Sequence, residues 1–159
     1  MLVNGLYLVR AIKMYNKNFI VEKKQHTIKN VLVSDLNNKI LYLSWTYEGS
    51  VHDKAICDEE ALDFSKKVFL WLDSGFDGFN PEKAIINRPK KKPRKKELTD
   101  EEKKHNHAIS RIRVKVEHAI GQCKVFKIVK DEIRAFKDDF RDLAMLLACS
   151  LSNFKIKYA

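Results

Sequence analysis

Apolar and polar positions alternate with two different periods along this chain, and the change of period divides it. Residues 30–36 (NVLVSDL) and 39–47 (KILYLSWTY) are rich in β-formers and flank Asn37-Asn38, so they predict a β-hairpin. The earlier run 2–9 (LVNGLYLV) predicts the first strand of the same sheet. In 55–67 (AICDEEALDFSKK), Ile56 and Leu62 among acids and lysines suit a short helix. The run 68–78 (VFLWLDSGFDG) is continuously apolar and stops abruptly at Asp73. Unbroken apolarity over so short a run marks a strand covered on both faces, central in an α/β sheet.

Beyond residue 88 the character changes. Residues 88–97 carry a dense cationic block with Pro89 and Pro93, after Pro81, and predict an exposed basic loop. Thr99, followed by Asp100, Glu101 and Glu102, has the form of a capping box, from which a helix runs to about Lys124. At about 100° per residue, Ile109, Ile112, Val116, Ile120 and Cys123 form one stripe. Arg111, Lys115, His118 and Gln122 lie opposite, while Asn106, Ser110, Arg113, Glu117 and Lys124 share an arc of about 60° beside the apolar stripe. A second helix follows over 138–154, with Phe140, Leu143, Ala144, Leu147, Leu151 and Phe154 at helical spacing as its expected core face. No internal repeat is visible.

Composition narrows the class. With 159 residues the chain is read as one domain, 1–159, large enough for a real core. No apolar run approaches the roughly 20 residues of a membrane span, and the apolar start lacks both a basic leader and a small-residue cleavage site, so a soluble protein with no membrane partner is expected. Cys57, Cys123 and Cys149 are odd in number and widely spaced, against a disulfide framework or a zinc site, and suggest a reducing, intracellular compartment. The net charge of +10 favours a polyanionic partner, nucleic acid first, although acidic proteins, membrane surfaces and solubility also use basic surfaces.

Against that charge Glu117 stands out, a lone acid in ISRIRVKVEHAIGQCK (109–124). Its face of the helix borders the buried stripe and can point toward the end of the central strand, where Asp73 stands. Carboxylates are hard oxygen ligands suited to Mg²⁺ sites acting on phosphates. The plainer reading is equally physical: an Asp after a strand is commonly a cap, and a Glu four residues from an Arg a surface pair of small value.

Five ordered blocks decide between them: EKKQHTIKN (22–30), EGSVHDK (48–54), LDSGFDG (72–78), KKKPRKKELTDEEKKHN (90–106) and ISRIRVKVEHAIGQCKVFKI (109–128). Together they resemble the catalytic domain of DDE-type transposases of bacterial insertion sequences and the related Harbinger-like endonucleases. The resemblance implies an α/β, RNase H-like mixed sheet flanked by helices. It also implies metal-dependent strand cleavage and transfer at transposon ends, with Mg²⁺ or Mn²⁺ as cofactor. DNA is the implied partner, two copies can pair in synapsis, and the location is the bacterial cytoplasm and nucleoid. Asp73 matches the second acid and Glu117 the third, while Arg113 and Lys124 match positions that contact the phosphate backbone. Asn4 stands where the first acid is expected, which removes one charge from the metal site and marks a degenerate or N-terminally shortened copy. A DNA-binding remnant without catalysis is the alternative.

Other signals are weighed against this frame. Asp35 lies in a hairpin turn, where Asp is expected on backbone grounds. His52 and Asp53 are candidates for a secondary role near the site, or for a turn and helix cap. The HNH of residues 105–107 cannot face one metal, since each helical residue turns by about 100°. Lys90, Lys91, Lys92, Arg94, Lys95 and Lys96 are read as a sequence-independent, salt-sensitive clamp on the DNA backbone.

Overall fold

A computed structural model describes residues 6–16, 26–92, 97–130 and 138–158. In chain order its elements are β1 (Leu6–Asn16), β2 (His26–Asp35), β3 (Ile40–Leu43), β4 (Tyr47–Glu48), α1 (Asp53–Glu59), β5 (Val68–Leu72), a 3₁₀ turn (Ser74–Phe76), β6 (Ala84–Asn87), α2 (Asp100–Lys124), α3 (Lys127–Lys130) and α4 (Asp138–Tyr158). The six strands form one mixed sheet in the order β3-β2-β1-β5-β6, with β4 added to β2. β1, β2 and β3 are antiparallel neighbours, whereas β5 runs parallel to both β1 and β6.

The predicted hairpin forms, with Asn38 in the left-handed region (φ 65°). Asp35 is a turn residue: its Oδ1 accepts from the Asn37 and Lys39 backbone N–H groups, each at 2.9 Å. The second strand of the hairpin is shorter than the apolar run suggests. Ser44 still donates its N–H to the Val31 carbonyl at 2.8 Å, but its Oγ, not its carbonyl, takes the Val31 N–H at 2.8 Å, and regular pairing with β2 resumes only at Tyr47.

Alternation along β2 and β5 covers both faces of the sheet. On one face Ile28 and Leu32 pack with Val116, Ile120 and Cys123 of α2 and Met145 of α4; on the other Val31, Val33, Leu70 and Leu72 pack with Ile56 of α1 and Phe76. The expected apolar stripe of α2 is the face that packs, and the Thr99–Glu102 capping box is present in both directions. The helix predicted over 55–67 is shorter, Asp53–Glu59.

α4 corrects an expectation. Its buried face is Ala144, Met145, Ala148, Cys149 and Ser152, while Phe140, Leu143, Leu147, Leu151 and Phe154 are exposed. The helix carries a second apolar stripe beside the expected one, and packing uses that stripe, whose Ala144, Ala148, Cys149 and Ser152 let α4 lie close to α2. The Cys123 and Cys149 sulfurs meet there at 3.8 Å as free, buried thiols, and the hydrogen bond between them lowers the Cys123 thiol and raises its partner.

Glu60, the C-cap residue of α1, ties that helix to the edge of the sheet. It accepts from the Tyr42 hydroxyl at 2.6 Å, the Tyr47 hydroxyl at 2.8 Å and the Trp45 N–H at 3.0 Å. Burial first, then the Glu60 hydrogen bond, pushes both phenols above their ordinary value of 10.0. A phenol whose folded value is raised holds its proton longer in the folded chain, so its contribution is intact below about pH 10 and is lost as pH rises further. Urea unfolding followed against pH is expected to show stability falling from about pH 10 upward. Phe substituted at both tyrosines should flatten that fall, and Glu60→Ala should cost about 2 kcal/mol at neutral pH.

Candidate functional site

β5 ends because Asp73 follows it. The Asp73 side chain caps the 3₁₀ turn, its Oδ1 accepting the Ser74 N–H at 2.6 Å. Its other oxygen, Oδ2, accepts from Arg113 Nη2 at 2.9 Å, and both side chains are partly shielded from solvent. Residues forty positions apart therefore meet where the central strand faces α2. Gly78, at φ +86°, completes the turn that returns the chain toward β6.

The polar face read on α2 is real and in use. Asn106, near its start, accepts the Lys90 N–H at 2.8 Å and donates to the Lys90 carbonyl at 3.0 Å, so the base of the basic loop is fastened to the helix. Arg113 reaches Asp73 two turns later. Glu117 is exposed one turn beyond Arg113, and Lys124 is the last residue of the helix, where a cation suits the macrodipole. The structure thus brings Asp73 and Arg113 into contact and sets Glu117 on the same edge of the helix. Arg113, matched by resemblance to a phosphate contact, has its guanidinium on the Asp73 carboxylate.

Of the basic segment, Lys90, Lys91 and Lys92 are exposed. Lys90 pairs with Glu102 at 3.1 Å, Lys91 with Asp77 at 3.1 Å, and Lys92 with Glu97. Asp77 also holds Arg88 at 3.0 Å, and the Lys91 hydrogen bond and charge keep its carboxyl below the ordinary value. Sequence reasoning passed over Asp77, although an acid in a turn close to a cationic run is the available signal. Arg94, Lys95, Lys96 and Asn4 lie outside the described residues.

His52 and Asp53 have separate duties. His52 is the N-cap of α1, its Nδ1 accepting the Lys54 N–H at 3.3 Å. Asp53 Oδ1 receives the Lys29 ammonium at 2.7 Å, with the Lys29 side chain only 4% exposed. The other Asp53 oxygen lies so close to the backbone of Gly75 that any Cβ there would collide with it. The turn that carries Asp73 therefore rests on a buried ion pair reaching from β2. His105, Asn106 and His107 lie in succession along α2 and do not form a ligand set. Among the described residues no group of three or more His, Cys, Asp or Glu is arranged to hold a metal ion, and no helix is long and apolar enough to cross a membrane.

Removing one member of the Lys29–Asp53 pair strands a buried charge. Asp53→Ala is expected to cost about 3–5 kcal/mol in urea unfolding. The double variant Lys29→Met, Asp53→Asn should recover most of that loss.

Residues 9–153 match the family described as DDE superfamily endonuclease. The chain is also 28% identical, over 125 residues, to the "Probable transposase for insertion sequence element IS702" of Microchaete diplosiphon. That stretch is 79% of this chain and 45% of the relative, so the chain spans under half of the length of the protein it matches. No solved structure matches. The family match takes in Asp73, Arg113 and Glu117 and the elements that bring them together: the chain belongs to the DDE superfamily endonucleases.

Proposed function

We propose that this chain is the catalytic-type domain of a DNA transposase, with an RNase H-like sheet and with Asp73 and Glu117 as its acids. The observation that carries the proposal is the Asp73–Arg113 contact. It joins the acid after the central strand to the basic helix bearing Glu117, a placement that a mere strand cap would not need. The strand order, antiparallel across β1, β2 and β3 and parallel across β1, β5 and β6, supports the RNase H-like reading. The exposed lysines of 90–92 and the net charge of +10 supply the field for a phosphate backbone. Arg94, Lys95, Lys96 and Lys124 belong to the same proposed surface, and pairing of two copies in synapsis to the same proposed reaction.

Kinship with endonucleases of this type implies a divalent metal, Mg²⁺ or Mn²⁺. The carboxylates of Asp73 and Glu117 have the right donor chemistry for it, but the described residues do not complete a ligand set. When bound, such an ion activates a nucleophile and stabilises the leaving oxygen of a phosphodiester. Asp73 is held by the Ser74 N–H and Arg113, so this chain's own part is to keep one carboxylate fixed at the strand end and a guanidinium beside it for phosphate.

A second reading, a DNA-binding protein without cleavage, is favoured by the register of β1. Val9 pairs with Leu72, so the following position, Arg10, stands level with Asp73; Arg10 in turn pairs with Leu32 across the sheet. A first acid sharing a metal with Asp73 would need to arise near that level, and neither Val9 nor Arg10 is an acid. Asn4, the position implied by resemblance, stands six residues earlier in sequence.

Nicking of supercoiled DNA in Mn²⁺ separates the readings. Under the first, the chain nicks, and Glu117→Gln lowers the rate a hundredfold or more, about 3 kcal/mol in the barrier. Under the second it is retained on DNA without nicking, and Arg10→Asp confers a Glu117-dependent activity. Both predict affinity that falls steeply with salt, with Lys91→Ala reducing the logarithmic salt slope by about 1. Absence of salt-dependent retention on DNA overturns both.

A further inference from the structure

The outer face of α2 has no role in anything described so far. At about 100° per residue, Lys104, Arg111 and Lys115 fall within about 40° of one another, and His107 and His118 widen the arc to about 80°. All five side chains are exposed, as is Ala108, the small residue between the first two cations. Between residues 104 and 124 the helix carries one acid, Glu117, which lies about 120° or more round the helix from each of the three cations.

These three charges differ from the cations around them. Lys90, Lys91 and Lys92 each hold an acid, Lys103 holds Asp100, and Arg113 holds Asp73. Among the described residues Lys104, Arg111 and Lys115 hold none. A cation that gives up no ion pair on binding keeps the whole gain of a phosphate contact.

The arc also selects the kind of polyanion. The apolar stripe of α2 is buried against the sheet and α4, so the helix has no apolar face to sink into a membrane. α2 contains no Phe, Tyr or Trp on which the bases of a single strand would stack, or that would anchor a protein partner. What remains is a row of charge about 21 Å long from residue 104 to residue 118, the axial length of about six base pairs of duplex. Arg113 lies about 160° or more round the helix from each cation of that row. Because another side of α2 is packed on the sheet, no groove can enclose the helix, and a duplex lying along the row does not reach Arg113 or Asp73.

We infer that Lys104, Arg111 and Lys115 grip the backbone of a DNA duplex other than the one presented to Asp73, so that α2 holds two duplexes on opposite sides. The inference rests on the proposed DNA-binding function.

The test mixes the whole chain, without metal, with short duplexes of arbitrary sequence carrying either a donor or an acceptor dye. The unaltered chain is expected to bring the two kinds together, read as energy transfer. The triple variant Lys104→Gln, Arg111→Gln, Lys115→Gln should still bind a duplex but lose the transfer. Its logarithmic salt slope, from anisotropy, should be smaller by about 2 to 3, with circular dichroism unchanged. In the unaltered chain, saturating duplex should protect Lys104 and Lys115 from acetylation. Absence of any retention on DNA sinks the DNA-binding function itself. Retention with a slope and transfer indifferent to the triple variant overturns the inference and leaves that function standing. Energy transfer absent from the unaltered chain overturns the two-sided arrangement. If the triple variant disturbs the fold, acetylation decides, and unprotected Lys104 and Lys115 overturn the inference.

Discussion

Everything in this fold turns on β5 having neighbours on all sides. β1 and β6 take its two edges, α1 and the 3₁₀ turn cover one face, and α2 and α4 lie over the other. A strand so enclosed has no position for a charge until it ends. The first acid after Val68–Leu72 must therefore appear at the rim, where chains from both faces converge. Asp73 inherits its place from that enclosure, and Arg113 answers it from α2.

The supports beneath the rim are electrostatic on one side and apolar on the other. The turn after Asp73 leans on Asp53, which is neutralised by a lysine from within the sheet. Taking the Lys29 ammonium out of water is costly, and the close partner offsets that cost. What the pair contributes is one fixed position for the turn more than extra stability. On the opposite face α2 is held by close packing with small residues of α4, which leaves the polar edge of α2 free to meet loop and strand end.

Much of this was legible in the residues. The hairpin, the central strand, the capping box and the three faces of α2 follow from period and cap chemistry, which are local. The core face of α4 was not legible, because that helix has two apolar stripes and period alone cannot rank them. The larger residues suggested the core, whereas close approach to α2 demanded the smaller ones. The Lys29–Asp53 pair was equally hidden, since a lysine in a strand reads as solvent-facing until the fold encloses it. At the candidate site, Asp73 and Glu117 were singled out through charge context and ordered blocks. That Arg113 would spend its charge on Asp73 could not be read from spacing, because the contact spans forty residues.

The double hydrogen bond between Asn106 and the backbone of Lys90 makes the stretch between them a closed loop, with its two ends joined independently of its contents. The entropy of bringing those ends together is met at the base, and it grows only logarithmically with length, about 0.6 kcal/mol for each doubling. The cationic stretch can therefore change in size or sequence while the helix bearing Glu117 keeps its station. In this chain the cationic stretch and the helix that follows it are mechanically decoupled.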